Sequence, residues 1–425
     1  MRGSLVAHVV LVLHCFTILI SIQSSALGQA KPAPDTSSEL MLLVARAQAG
    51  EGAAQYRLGS VYANGLGVAV DYTEAAKWWT RAAEQGNAGA ENDLAYTYQH
   101  GRGVTQDCSE ALRWFHAAAE QGLPAAQYNL GSIYETGFCA PRDYLQAASW
   151  LQKAAEQGLG AAESDLAVMY QHGNGVARDI ARSMELFRRA ADAGVASAQH
   201  NLGVAYFSGR DVPRDYAQAF GWFQKAASQG VANSYYALCL MYEDGRGIHR
   251  DHIQAVEWCR KAAVAGDLQG QTILGIMLME GKGVQRDYIE AQKWLRLAAE
   301  KGMPEAQNGL GWIYMQCLEV KCDCQEAADW FRKAAEQGYK VAQHNLGYLY
   351  EYGKGVPVDY SEAHKWYQLA AMGGSSPAQR AMESLARIMT QNQLLESAAR
   401  ASAWQQKRKT TETTTASIAE SENHD

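Results

Sequence analysis

Leucine stands at positions 58, 94, 130, 166, 202, 238, 274, 310 and 346, every step 36 residues, and the apolar and polar positions around each one repeat with it. Leu58 and Tyr62, four apart, share one face of a helix and predict a first helix, A, over roughly 53–63. Ala75, Trp78, Ala82 and Ala83 make a second stripe at spacings of three and four, which predicts helix B. Asp71 and Gly86 bracket that helix, and both recur with the same step through Asp359 and Gly374. Aspartate is a strong N-cap, worth on the order of 1 kcal/mol. Glu or Gln three residues after it in eight of nine copies, Arg182 being the exception, reads as a capping box. Gly65 and Gly67 form the turn between A and B, where positive φ is easiest for glycine. Gly59 sits inside helix A at a cost of about 1 kcal/mol against alanine; its recurrence predicts a close helix contact there.

One helix pair cannot bury its own apolar face, so stacked copies share a continuous core. The expected class is all-α: an α-solenoid of nine 36-residue helix-turn-helix repeats over 51–374, with terminal capping helices. Asp35 and Gly50 lie one step before Asp71 and Gly86, which places a lone capping B helix within 31–50. Ala378 and Met382 keep the register of helix A and predict a closing helix over 375–398. The Thr/Ser/Glu-rich remainder, 399–425, reads as a disordered tail. Tryptophan holds one register in eight copies, from Trp78 to Trp366, with Leu186 in the fourth. These indoles are expected to fill the core beside the alanines, each costing about 3–5 kcal/mol to truncate.

The start of the chain breaks the pattern. Arg2, an apolar run from Leu5 to Ile22 and the small-x-small sequence Gly28-Gln29-Ala30 read as a signal peptide over 1–30. Left uncleaved, the run is just long enough to anchor in a membrane. The location this implies is secreted or periplasmic, with an organelle lumen as the alternative. Disulfides are the default in such compartments, and the seven cysteines after Cys15 are odd in number. Cys239 and Cys259 lie on the two helices of one repeat. Cys108 starts helix B of the second repeat and Cys139 lies in the turn of the third, close enough for an inter-repeat bridge, and Cys317 shares one turn with Cys322 and Cys324, either of which it could bridge. A metal there would lack paired C-x-x-C spacing and an evident fourth ligand, so none is expected. A net charge of −7 gives no electrostatic case for nucleic acid. Serine-hydrolase, metalloprotease and P-loop motifs are missing, so neither a catalytic residue nor a cofactor is assigned.

The unit carried by Ala54, Leu58-Gly59, Tyr62, Gly65, Gly67-Val68, Asp71, Ala75, Trp78, Ala82-Ala83 and Gly86 resembles the Sel-one-like repeat, a relative of the tetratricopeptide repeat. Departures are local: Leu278 replaces the helix A tyrosine, and Cys317 and Glu319 replace the turn glycines of the eighth copy. The resemblance implies a right-handed superhelix with the A helices lining its concave face. It also implies a non-enzymatic scaffold or adaptor that holds a protein or peptide segment. One cysteine-rich bacterial branch has been ascribed penicillin binding or hydrolysis, which leaves a β-lactamase-like hydrolase as the alternative; a structural spacer is the third reading. By analogy with tetratricopeptide geometry, the groove positions are those of residues 56, 60, 63 and 64. Repeats one to four place mainly polar residues there: Asn92, Gln99, His100, Ser132, Glu135, Ser164 and Gln171. Repeats five to nine place Phe207, Tyr236, Leu240, Ile276, Met279, Trp312, Met315, Tyr348 and Tyr352, edged by Glu243, Asp244, Glu280 and Glu351. An aromatic and methionine strip of this kind is expected to take a protein or peptide.

Overall fold

The computed structural model describes residues 37–316 and 323–422, with the backbone alone at 37 and 411–422. The expected signal peptide, 1–30, and Cys317, Cys322 and Glu319 lie outside the described residues. Among the described residues there are twenty-one helices and no strand, and no helix is long and apolar enough to cross a membrane. After α1 (Ser37–Gln48), A and B helices alternate nine times. The A helices are α2 (Gly52–Asn64), α4 (Ala88–His100), α6 (Pro124–Thr136), α8 (Gly160–His172), α10 (Ala196–Ser208), α12 (Ala232–Asp244), α14 (Leu268–Glu280), α16 (Pro304–Gln316) and α18 (Lys340–Tyr352). The B helices are α3 (Tyr72–Ala83), α5 (Cys108–Glu120), α7 (Tyr144–Glu156), α9 (Ile180–Asp192), α11 (Tyr216–Ser228), α13 (His252–Val264), α15 (Tyr288–Glu300), α17 (Cys324–Glu336) and α19 (Tyr360–Met372). Two more, α20 (Ser376–Ala386) and α21 (Gln391–Glu422), follow. The chain forms two compact bodies, one up to Arg189 and one from Ala190 on. Within each, A helices pack on the B helix that follows, and B helices on the next A.

The nine periodic leucines are at most 1% exposed. Beside each, the register of Gly59 sets how near helix B can come. A Cβ on Gly203 would stand 2.6 Å from the Phe223 ring, and one on Gly311 2.7 Å from Phe331. The side chain in that contact is the one after the tryptophan, and Phe115, Leu151, Phe223, Leu295 and Phe331 are at most 1% exposed. This corrects the reading of the tryptophans. Trp78, Trp330 and Trp366 are buried, but Trp114, Trp150, Trp222, Trp258 and Trp294 stay half-buried.

Polar groups frame those half-buried indoles. Trp114 and Trp294 donate Nε1–H to Glu110 and Glu290 at 3.1 Å. The Nζ of Lys153, Lys225 and Lys261 stands 3.6, 4.0 and 3.9 Å from the ring centroids of Trp150, Trp222 and Trp258, within cation–π reach. The acceptor glutamate is the third residue of helix B, where the capping box would send it back to the cap. Only the aspartate half of that box forms: Asp71 accepts from the N–H groups of Thr73 and Glu74. The Asp71 N–H already donates to the Tyr62 carbonyl at 3.0 Å, as Asp107 does to Tyr98, so the glutamate has no cap N–H to satisfy.

A buried polar ladder runs through the same layers. Gln127 Nε2 donates to the Ala119 carbonyl of the preceding B helix at 3.2 Å, and its Oε1 accepts from Gln157 at 2.8 Å. Gln55, Gln199 and Gln307 are bonded in the same two ways. Each such glutamine ties three helices together. Gln271 makes the first bond, but Lys301 stands where the partner glutamine would be, and its buried Oε1 is unpaired. An unsatisfied buried acceptor costs about 1–3 kcal/mol. Lys301→Gln should therefore stabilise the protein by about 1 kcal/mol, measured as a rise in the urea midpoint; an unchanged midpoint would mean water already fills the role.

The C-terminal end differs from expectation. The closing helix stops at Ala386 rather than near 398, and α21 runs to Glu422 through the stretch read as a disordered tail. α21 lies along α19. His364 Nδ1 and Ser397 Oγ are 2.8 Å apart, Arg400 reaches Asp359 at 3.0 Å and Glu362 at 2.8 Å, and Trp404 meets Trp366 edge-on at 6.3 Å. Ser397, Ala401 and Trp404, spaced four and three, form its inner face. α20 and α21 thus make a degenerate tenth pair. Leu395 and Ser402 stand at the cap and indole registers, which hides it from the periodicity.

Candidate binding groove

The expected strip lies on α10, α12, α14, α16 and α18, all in the body from Ala190 on. Eight of its nine side chains are half-buried, and Tyr352 is 57% exposed. Ile276, Met279, Trp312, Met315 and Tyr348 pack against one hydrophobic cluster. Phe207 instead meets Tyr216 and Phe223 edge-on at 5.4 and 6.3 Å, with the Arg246 guanidinium 5.3 Å from its ring. Tyr236 and Leu240 lie on α12 between these groups. Each member therefore anchors in the body on one side and keeps part of its surface open on the other.

Hydrogen bonds fix several of these groups. The Tyr348 and Tyr352 rings lie 4.7 Å apart, and Lys354 Nζ donates to the Tyr348 hydroxyl at 2.9 Å. Glu351 accepts from the Tyr367 hydroxyl at 2.7 Å. Glu243 is held by Lys282 and by His252, Asp244 pairs with Arg246 at 2.7 Å, and Glu280 is exposed. Burial, followed by the carboxylates of Asp267, Glu305 and Asp244, pushes the Tyr236 phenol up to about 12, so it stays neutral and able to donate.

In the body up to Arg189, some polar side chains of adjacent A helices bond to one another. Asn129 Nδ2 donates to Asn92 Oδ1 at 2.9 Å. Tyr56 bonds to Asp93, and Tyr128 to Asp165, in the same sense from one repeat to the next. The sequence reading missed Asp93 and Asp165 because they lie one residue beyond the four groove registers. The available signal was Tyr or Asn in one repeat followed by Asp or Asn 37 residues on. Burial raises Asp93 to about 6, and burial together with the facing Glu135 raises Asp165 to about 7. This stretch therefore presents less negative charge at neutral pH than its carboxylate count suggests. The rings of His100 and His172 bond the Tyr96 and Val168 carbonyls of their own helix ends at 3.0 Å.

Two disulfides are formed. Cys239 and Cys259, both fully buried, join α12 to α13 at the registers elsewhere held by glycine or alanine and by the large core side chain. Cys108–Cys139 links the second repeat to the third. Cys139 takes the register of Gly67 and is the one described non-glycine residue with positive φ, at 75°. In the preceding repeat a Cβ on Gly103 would stand 2.2 Å from the Tyr72 backbone. Cys108 holds the Tyr72 register, so the bridge occupies a place where glycine normally permits backbone contact. Cys324 is half-buried and outside any disulfide. No group of three or more His, Cys, Asp or Glu among the described residues could hold a metal ion.

The Sel1 repeat profile matches nine consecutive segments: 52–87, 88–123, 124–159, 160–195, 196–231, 232–267, 268–303, 304–339 and 340–375. No curated protein matches the chain. Among solved structures, a protective antigen present in uropathogenic Escherichia coli strains, which displays an SLR fold, is 33% identical with a TM-score of 0.58, over 86% of either chain. A Sel1 repeat protein from Oxalobacter formigenes is 35% identical with a TM-score of 0.52, over 73% of this chain and 89% of that one.

Proposed function

Because the chain belongs to the Sel1 repeat family, whose members are generally protein-interaction scaffolds, we propose that it is a non-enzymatic adaptor holding a protein or peptide segment along the strip from Phe207 to Tyr352. The observation that carries this reading is the state of the strip. Its aromatic and methionine side chains are seated in the core on one side and open on the other, as anchor positions of interfaces are. Pre-seated side chains lose little rotamer freedom on binding. We place the protein outside the cytosol, in a secreted or periplasmic setting, on the support of two disulfides and the apolar N-terminal run.

Affinity capture with crosslinking from the native envelope or secretome tests the reading. Trp312→Ala and Tyr348→Ala should each abolish capture of the partner taken by the unmodified chain, with the helical circular-dichroism signal unchanged. Capture that survives both substitutions would sink the groove assignment.

A further inference from the structure

The fourth repeat departs from the others at two linked positions on its B helix and keeps a third. Leu186 replaces the tryptophan, Arg182 replaces the residue that accepts the indole N–H, and Arg189 holds the register of the cation that stands over the ring. In the repeats with tryptophan the indole rests on small residues of the preceding B helix and the leucine of its own A helix. Trp114 packs on the cluster of Ala82, Ala83 and Leu94, and Trp150 on that of Ala118, Ala119 and Leu130. At the same place in the fourth repeat there is a cleft of about 210 Å³, lined by Gln152, Ala155, Leu166, Arg182, Leu186 and Arg189. The freed cation has turned away: Arg189 pairs with Glu163, whose side chain is 4% exposed. The Arg182 guanidinium lies 4.8 Å from the Tyr170 ring centroid and 3.5 Å from Gln152 Oε1.

We propose that this cleft is a docking pocket for one aromatic side chain, tryptophan best, presented by a protein partner. The shape argues for it, since the same scaffold seats an indole, buried or half-buried, in eight other repeats. The size argues for a single ring: pockets for drug-sized ligands run to about 300–1,000 Å³. The chemistry fits as well. Ala155, Leu166 and Leu186 make an apolar floor, and the Arg182 guanidinium stands beside it to face a π system. Arg189 is already neutralised by Glu163, and Glu156 and Glu185 stand at the rim with Arg182, so the cleft gives an anion no net attraction. A lone ring gains too little contact to bind tightly, but a buried aromatic anchor is what the centre of a protein interface uses. The site lies between α7 and α9, on B helices, and is separate from the groove strip.

The test uses the full chain with N-acetyl-tryptophan amide as probe and N-acetyl-alanine amide as control. Saturable binding of the tryptophan probe in the millimolar range is expected, detected by chemical-shift changes of the Arg182 and Arg189 side chains, with none for the alanine probe. Leu186→Trp fills the cleft with the residue eight repeats already carry there. It should keep the helical signal and weaken binding at least tenfold, whereas Leu186→Ala, which enlarges the cleft, should retain it. Absence of saturable binding to the unmodified chain, or equal affinity in Leu186→Trp, overturns the proposal.

Discussion

Replacing Phe223 with alanine should cost about 3–5 kcal/mol, while replacing its neighbour Trp222 should cost about 2 kcal/mol. Tryptophan is the larger and the more regular residue, so its conspicuous periodicity favours the opposite order. Geometry reverses it. Phe223 is 1% exposed and sits against Gly203, whose missing Cβ makes room for the ring. Gly203, which faces the ring, has no side chain that could move into the space that Phe223→Ala would leave. Trp222 is half-buried, with Lys225 4.0 Å from its ring centroid, and water can reach the space it leaves. Equilibrium urea denaturation of the two variants decides the matter. Equal losses, or a larger loss for Trp222→Ala, would show that the outer indole layer carries the stability.

The second large effect concerns Cys239–Cys259. Changing both cysteines to alanine should lower stability by about 2–4 kcal/mol. The bridge closes a loop of 20 residues and fills the core register opposite a fellow cysteine, with both side chains fully buried. The two bridges should also differ in accessibility. Cys108, at the start of α5, and Cys139, in the turn of its repeat, are both half-buried, so a thiol reductant can reach their sulfurs in the folded chain. Reduction under native conditions, followed by alkylation and mass analysis, should label Cys108 and Cys139 first. Labelling of Cys239 and Cys259 should wait for unfolding. Simultaneous labelling of all four would show that the buried bridge opens in the native state.

Much of this architecture was legible because the repeat multiplies each signal. Nine leucines, aspartates and glycines at one step identify core, cap and stop, and those residues serve in those roles. What escaped is informative. The core residue after the tryptophan varies among Trp, Phe, Leu, Cys and Tyr, since all that the contact needs is bulk opposite glycine or alanine. The glutamine ladder sits within an apolar stripe, where a polar residue looks like an interruption until its partners in two other helices are in view. The tenth pair lost the aspartate and tryptophan that mark the rest and kept only an apolar spacing. In the body up to Arg189, Asp93 and Asp165 lie one residue beyond the four expected groove registers, and only the packing of adjacent A helices shows that they bond Tyr56 and Tyr128.

That tenth pair bears on more than the last turn of the core. Each B helix offers its exposed side to the repeat that comes next, and an end without a cover would accept any similar surface, including the first repeat of another copy. Head-to-tail contacts of that kind do not close on themselves and grow into fibres. α21 occupies the side of α19 that such a neighbour would use, and Arg400 takes up the carboxylates of Asp359 and Glu362. In a chain built from mutually compatible modules, α21 thus covers a surface that would otherwise match another module.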